Sequence, residues 1–301
     1  MKVFITGGTG FVGHGIIATL LEASYEVHCL IRQGSESKVK KAYALTDHLH
    51  IHTGDIFNAD SLRAAMRDCD AVIHLVGIIR EQPGKNITFS RIHVEGTHNV
   101  LQVAKELSIK RFLFMSALGT RPQATSGYHR TKYEAEQMVE ASEIPYVIFR
   151  PSVIFGSSDE FVTMLADLVR LPLTPVIGRG TYLLQPVSRK TVGEVFVQAL
   201  TNEQATNQIY EVGGPQQLTY IQILQTIGTA IGKSCVQTIH VPLWFMKPLV
   251  SIMQGFSFFP ITQTQLTMLQ EGNYCDNGER LYEDFQINKI DFFSGISEYL
   301  S

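Results

Sequence analysis

Tyr128 and Lys132 stand four residues apart in the run Tyr128-His129-Arg130-Thr131-Lys132, twelve residues after Ser116. A four-residue step puts both side chains on one face of a helix, a turn apart. A phenol with a pKa of about 10 is a poor acid or base near neutrality. An ammonium beside it stabilises the phenolate and lowers that value. Ser116 would then hydrogen-bond a substrate oxygen while Tyr128 transfers a proton as hydride passes to or from a nicotinamide. Tyr-x-x-x-Lys also arises by chance, as a surface tyrosine beside a solvated lysine, so its meaning depends on the elements that position it.

The chain opens on such an element. Val3, Phe4 and Ile5 form an apolar run suited to a buried parallel strand, and Phe11, Ile16, Ile17, Leu20 and Leu21 recur at helical spacing. Between them lies Thr6-Gly7-Gly8-Thr9-Gly10-Phe11-Val12-Gly13. Gly7 permits the sharp turn, Gly10 lets backbone N–H groups approach a pyrophosphate, and Gly13 lets the helix pack closely on the strand. The unit reads as a dinucleotide site contributed by Thr6, Gly7, Gly10, Phe11, Val12 and Gly13.

A second strand, Tyr25 to Ile31, ends at Arg32, where the adenine ribose of a bound dinucleotide lies. No carboxylate follows until Glu36, and Lys38 is close by, so the pattern favours NADP(H) over NAD(H), with Arg32 accommodating a 2′-phosphate. Leu49 to His52 reads as a third strand closed by Gly54-Asp55, and Asp60-Ser61 as the cap of a helix through Met66. His48, His50 and His52 alternate on one strand face, but neighbouring sequence supplies no further ligands. They are read as strand-edge histidines, and no metal is assigned. Ala71 to Gly77 is a fourth strand that brings Leu75, Val76 and Gly77 to the cofactor, Gly77 allowing the backbone a close approach. A helix over Ile92–Leu107, a fifth strand Arg111–Ser116 and a sixth ending at Arg150-Pro151 follow. The alternation predicts an α/β fold, a Rossmann-type doubly wound parallel sheet with a smaller C-terminal α/β substrate region. The expected division is 1–156, with a return at 182–212, and 157–301.

Composition sets bounds on function. At 301 residues, 45% hydrophobic and 18% charged, the chain can bury a real core. A net charge of −3 gives no general case for nucleic acid or an anionic membrane surface. Cys29, Cys69, Cys235 and Cys275 lack C-x-x-C spacing, which favours free thiols in a reducing compartment. The expected location is cytoplasmic or peripheral to the inner membrane, since the first residues enter a strand directly and no apolar run is long enough to span a bilayer.

Thr6-Gly7-x-x-Gly10-x-x-Gly13 resembles the short-chain dehydrogenase/reductase superfamily, in its extended and atypical branches. The resemblance continues through Val94-Glu95-Gly96-Thr97-His98-Asn99-Val100, similar to a family helix in which asparagine usually stands at the position of His93. That asparagine normally holds a water or backbone group linking the catalytic lysine to solvent, so the departure bears on the proton relay. By resemblance, Asp55 and Ile56 border the adenine. Arg150-Pro151-Ser152-Val153-Ile154-Phe155-Gly156 is similar to the Arg-Pro-x-x-x-Tyr-Gly segment that passes the nicotinamide, which implicates Pro151, Ser152 and Val153. Gln185-Pro186-Val187 resembles the strand by which extended members return to the nucleotide domain, and Tyr210-Glu211-Val212-Gly213-Gly214-Pro215 with Thr219-Tyr220 is also family-like. Ser116-Ala117-Leu118-Gly119, Tyr128-x-Arg130-Thr131-Lys132-x-x-Ala135-Glu136 and Pro260-Ile261-Thr262-x-x-Gln265 look most like the branch holding the accessory subunit of respiratory complex I and its bacterial relatives. In that branch NADPH is bound tightly and can be structural.

The resemblance implies three functions: an NADP(H)-dependent oxidoreductase for an unidentified small-molecule substrate, a cofactor-binding subunit of a membrane respiratory complex, and a nucleotide-sugar epimerase or dehydratase. Arg32 argues against the last, because those enzymes generally prefer NAD. His240 to Met253, with Phe256, Phe258 and Phe259, is the most apolar late segment. It would face a quinone, a lipid surface or a partner protein, or form the core of the smaller domain and the wall of a substrate cleft, and the last reading is preferred. Ile287 to Leu300 is expected to form a closing helix.

Overall fold

The computed structural model describes residues 1–36, 46–253 and 261–300. Lys38, Phe256, Phe258, Phe259 and Pro260, singled out above, lie outside the described residues.

Short apolar runs become strands β1 (Lys2–Thr6), β2 (Glu26–Ile31), β3 (Leu49–Thr53), β4 (Ala71–His74), β5 (Arg111–Met115) and β6 (Tyr146–Pro151). With Gln208–Val212 they form a seven-stranded sheet in the order Gln208–Val212, β6, β5, β4, β1, β2, β3. Neighbours among β1 to β6 pair in parallel, which requires crossovers, and helices α1 (Phe11–Glu22), α2 (Ala59–Met66), α3 (Gly96–Glu106) and α4 (Gly127–Glu140) lie in those connections. Helices on the sheet explain why β4 and β5 are buried at every residue. Strand order reverses between β1 and β4, whose ends meet where Thr6 stands opposite His74. In open parallel sheets ligands bind outside the carboxyl ends at this reversal.

The chain divides into two compact units. The first contains Met1–Pro151, Lys190–Glu211 and Glu279–Ile287, and the second Ser152–Arg189, Val212–Gly278 and Asn288–Ser301. The division thus falls after Pro151 rather than after 156, and the chain re-enters the first unit twice. Val187–Ser188, within the expected return, pairs in parallel with Ile154–Phe155 of the second unit instead. In the first unit, Arg111 at the start of β5 donates to the carbonyls of Ala199 at 2.9 Å and Asn202 at 2.6 Å. In the second, Phe155, Leu165, Ile223, Ile227 and Ile296 share a core.

Several boundaries shift for identifiable reasons. Asn58, not Asp60, caps α2, its side chain accepting from the Ser61 N–H at 3.0 Å. The helix expected from Ile92 begins as a π-helical segment, Ser90–Glu95, and becomes α-helical only at Gly96. The closing helix shrinks to Phe292–Ser297 because the Asp291 carboxylate caps it, accepting from the Ser294 N–H at 3.0 Å. The capping box of Thr219 and Gln222 starts the helix Tyr220–Ala230. Leu243–Met253, expected to fill the smaller core, buries only Val250 fully, while Trp244 is 76% and Ile252 73% exposed. An apolar sequence is not in itself a buried one, since much of any folded surface is apolar. Among the described residues no helix is long and apolar enough to cross a membrane, and none of the four cysteines is in a disulfide.

Candidate active site

The glycine turn closes by contacts that no side chain would permit. Gly7 adopts φ +77°, and a Cβ there would stand 3.1 Å from the Leu75 carbonyl carbon and 3.2 Å from the Val76 nitrogen. A Cβ on Gly13 would lie 2.3 Å from the Gly7 oxygen, so α1 packs directly on the turn. Gly10 caps α1 without a side-chain hydrogen bond, and its N–H donates to the Gly7 carbonyl at 3.1 Å. Phe11 and Val12 are half-buried in the first helical turn. Such a terminus presents the positive end of the helix dipole and suits a phosphate. Thr6 has a different role: its hydroxyl is 2.6 Å from Nδ1 of buried His74, whose Nε2 is 3.1 Å from the Thr97 hydroxyl. Burial, then the charge of Lys132, pushes His74 down to about 3.

At the end of β2, Arg32 is exposed. The Gly54 N–H donates to the Ile31 carbonyl at 2.9 Å, bringing the next loop alongside. The Asp55 carboxylate accepts from the Phe57 N–H at 3.0 Å and therefore shapes that loop. Ile56 is buried against Gly96, where a Cβ would come 2.6 Å from its Cδ1.

Ser116 follows β5 directly, buried, with its N–H donating to the Phe149 carbonyl at 2.7 Å and its hydroxyl to Thr120 at 3.4 Å. Ser126 caps α4, accepting from the His129 N–H at 3.4 Å, and this places Tyr128 and Lys132 in the first turns. Lys132 is 3% exposed and donates to the Met115 carbonyl at 2.9 Å and the Val76 carbonyl at 3.5 Å. Its ammonium is thereby held at the carboxyl ends of β4 and β5. Burial brings Lys132 down to about 8, with the negative charge of Glu136 opposing the shift. Glu136 is itself fully buried and accepts two bonds from Arg150, at 2.8 and 2.5 Å.

Tyr128 departs from the sequence argument. Desolvation pushes its phenol up to about 12, whereas an adjacent ammonium was expected to lower it. The Lys132 ammonium is satisfied by the strand-end carbonyls, so burial dominates at the phenol. The Tyr128 ring meets His93 edge-on at 5.3 Å and Phe89 at 5.8 Å.

His93 is the residue whose role sequence reasoning left undefined. Its Nε2 accepts from the Ile78 N–H at 3.1 Å, so in the neutral ring Nδ1 carries the hydrogen and faces the Thr131 hydroxyl at 2.9 Å. Burial, then Lys132, pushes His93 down to about 2. A Cβ on Gly77 would sit 3.1 Å from Lys132 Nζ and 3.6 Å from His93 Nε2, so the glycine gives the lysine ammonium room for its close approach. The π-helical segment that carries His93 is of a kind frequent at functional sites. His74, Thr97, Glu136 and Arg150 were also not assigned roles, because isolated polar residues carry no signal until strands and helices bring them together.

Pro151 ends β6, and its carbonyl accepts from the Leu118 N–H at 2.9 Å. Ser152 and Val153 belong to the second unit, where Asn273 engages both: its Oδ1 accepts from the Val153 N–H at 2.9 Å and lies 2.6 Å from the Ser152 hydroxyl. Their polar groups are thus held by Asn273, which no sequence signal marked.

This chain resembles known proteins over most of its length. It is 24% identical over 297 residues to the mitochondrial NADH-ubiquinone oxidoreductase 40 kDa subunit of Neurospora crassa, covering 98% of this chain and 78% of that one. It is 29% identical over 205 residues to a 4-hydroxy-2-methyl-3-oxo-4-farnesyl-3,4-dihydroquinoline-1-oxide ketoreductase of Stigmatella aurantiaca, covering 61% of this chain and 59% of the enzyme. The crystal structure of dTDP-glucose 4,6-dehydratase from Bacillus anthracis in complex with NAD superposes with a TM-score of 0.74 at 17% identity, covering 100% of this chain and 95% of that one. The family model for the NAD dependent epimerase/dehydratase family matches residues 3–213, which hold the glycine turn, the sheet and the Tyr128/Lys132 helix, and the chain belongs to that family.

Proposed function

We propose that the first unit binds a nicotinamide dinucleotide, NADP(H) in preference to NAD(H), and that the protein is an oxidoreductase acting on a small-molecule substrate. One observation carries this reading. The Val76 peptide is flanked on one side by Gly7, whose Cβ would lie 3.2 Å from its nitrogen, and on the other by Lys132, 3.5 Å from its oxygen. A tight glycine turn and a buried ammonium therefore share one strand end, where a dinucleotide would span them. Gly7, Gly10, Phe11, Val12 and Gly13 would hold the diphosphate, Arg32 and Asp55 the adenosine end, and Leu75 to Gly77, Lys132 and Pro151 the nicotinamide end. Bound there, the dinucleotide would supply or accept a hydride.

The remaining chemistry belongs to side chains of this protein. Ser116 orients the substrate oxygen, and Tyr128 gives or takes the proton at its hydroxyl. Lys132, about 8 and donating along the strand ends, stabilises negative charge nearby. His93 holds the Ile78 peptide and the Thr131 hydroxyl, fixing the loop beside Gly77.

A second reading has its own support: a dinucleotide-binding subunit of a membrane respiratory complex with little turnover. Burial that raises Tyr128 to about 12 makes it a weak proton donor, and the Neurospora crassa relative is the 40 kDa subunit of a mitochondrial NADH-ubiquinone oxidoreductase. The test follows nicotinamide absorbance when NADPH-loaded protein meets quinones, aldehydes and ketones. Oxidation by one class, lost at least a hundredfold in Tyr128→Phe with NADPH affinity kept, is expected of the oxidoreductase. No oxidation by any acceptor sinks it and leaves the subunit; failure to bind either dinucleotide sinks both.

A further inference from the structure

The histidines read above as an isolated strand-edge feature acquire partners in the folded sheet. β2 and β3 pair in parallel with His28 opposite His50 and Leu30 opposite His52. Side chains two apart on a strand share a face, so Glu26 and His28 of β2 stand beside His50 and His52 of β3. His48 precedes β3 and takes no part. The missing ligands therefore come from a strand more than twenty residues away in sequence, which no local spacing reveals.

The distances suit coordination. Glu26 Oε1 is 3.3 Å from His28 Nε2 and 3.2 Å from His50 Nε2, and one ligand atom from each of the three residues lies within 4.8 Å of the others. A tetrahedral zinc with bonds of about 2.0–2.1 Å separates its ligand atoms by about 3.3 Å. His28 Nδ1 is 3.1 Å from His52 Nε2. When His28 Nδ1 donates to His52, its Nε2, 3.3 Å from Glu26 Oε1, keeps a lone pair for a metal, and His52 acts as the outer acceptor that orients a metal-binding imidazole. The side chains of His50 and Glu26 are 42% and 31% exposed, so the group is open to solvent. Its competitor is Lys2, 3.0 Å from Glu26 Oε1, a surface ion pair at 41% side-chain exposure that water and salt screen.

We infer that Glu26, His28 and His50 form a binding site for a divalent transition-metal cation, zinc foremost, with His52 orienting His28. Two imidazoles and one carboxylate select borderline metals over magnesium or calcium, which take oxygen ligands. The site is structural rather than redox-linked. His28 lies four residues before Arg32 on β2, about 13 Å at 3.3 Å per residue, and thus away from the strand ends that carry the glycine turn. A bound ion would pin the edge strand β3 to β2.

The experiment uses the untagged full-length protein, stripped with EDTA and titrated with Zn²⁺ against a chromophoric chelator, with Co²⁺ as a spectroscopic probe. One Zn²⁺ per chain, a rise in Tm, and a tetrahedral Co²⁺ d–d spectrum are expected. His52→Ala lowers affinity by roughly tenfold to a hundredfold. His50→Ala and the isosteric Glu26→Gln lower it further, and His48→Ala leaves it unchanged. All variants should keep native circular dichroism and NADPH affinity. Absence of stoichiometric Zn²⁺, or Zn²⁺ binding that persists unchanged in folded His50→Ala and Glu26→Gln, overturns the site.

Discussion

Replacing Gly13 by alanine tests whether the glycine turn is a ligand cradle whose shape depends on direct helix contact. The new Cβ would come within 2.3 Å of the Gly7 oxygen and 2.7 Å of the Gly8 Cα, both backbone atoms that cannot swing aside. Ordinary contact needs about 3.4 Å or more, so α1 and the turn must separate by roughly 1 Å. Overpacking of this kind costs about 1–3 kcal/mol. If the helix end moves instead, the N–H groups leave the phosphate, and a loss of about 3 kcal/mol corresponds to roughly a hundredfold in Kd. Calorimetric titration with NADPH and urea unfolding together capture both routes. Gly84→Ala is the control, since a Cβ there meets nothing within 4 Å. The reasoning is refuted if Gly13→Ala matches the wild type in both Kd and urea midpoint.

Arg32→Ala should weaken NADPH by at least tenfold more than NADH, because exposed Arg32 would pair with the 2′-phosphate alone; equal losses in the two titrations would remove the cofactor preference. Acidification should destabilise the protein through His93, whose folded value of about 2 lies below the ordinary 6.5. As pH falls through 6.5 the unfolded chain takes up this proton and the folded chain does not, so stability drops by up to about 1.4 kcal/mol per unit. His93→Asn removes that titration, and its loss between pH 6.5 and 5 should be smaller by about 1.7 kcal/mol in urea unfolding. An unchanged acid limb would show that His93 is not held neutral.

The amino-acid sequence by itself determined the alternating plan and the turn. Apolar runs of four to six residues separated by helical periods are local features, and so are Gly7, Gly10, Gly13 and the four-residue step from Tyr128 to Lys132. Each is legible because its meaning depends on residues within one turn or strand. Parallel pairing decided what sequence could not. It carried Lys132 to the carbonyls of Met115 and Val76 instead of leaving it to the Tyr128 phenol alone, and burial then raised the tyrosine. It set His93 against Gly77, sixteen residues away, with a hydrogen bond to the neighbouring Ile78 N–H, and brought Glu26 and His28 beside His50. The exposure of Trp244 and Ile252 was equally hidden, because hydropathy reports what a side chain prefers and only packing decides what covers it. Hydrogen-bond partners, desolvation and ligand sets are properties of neighbours in space, and in a parallel sheet those neighbours are separated in sequence by a crossover.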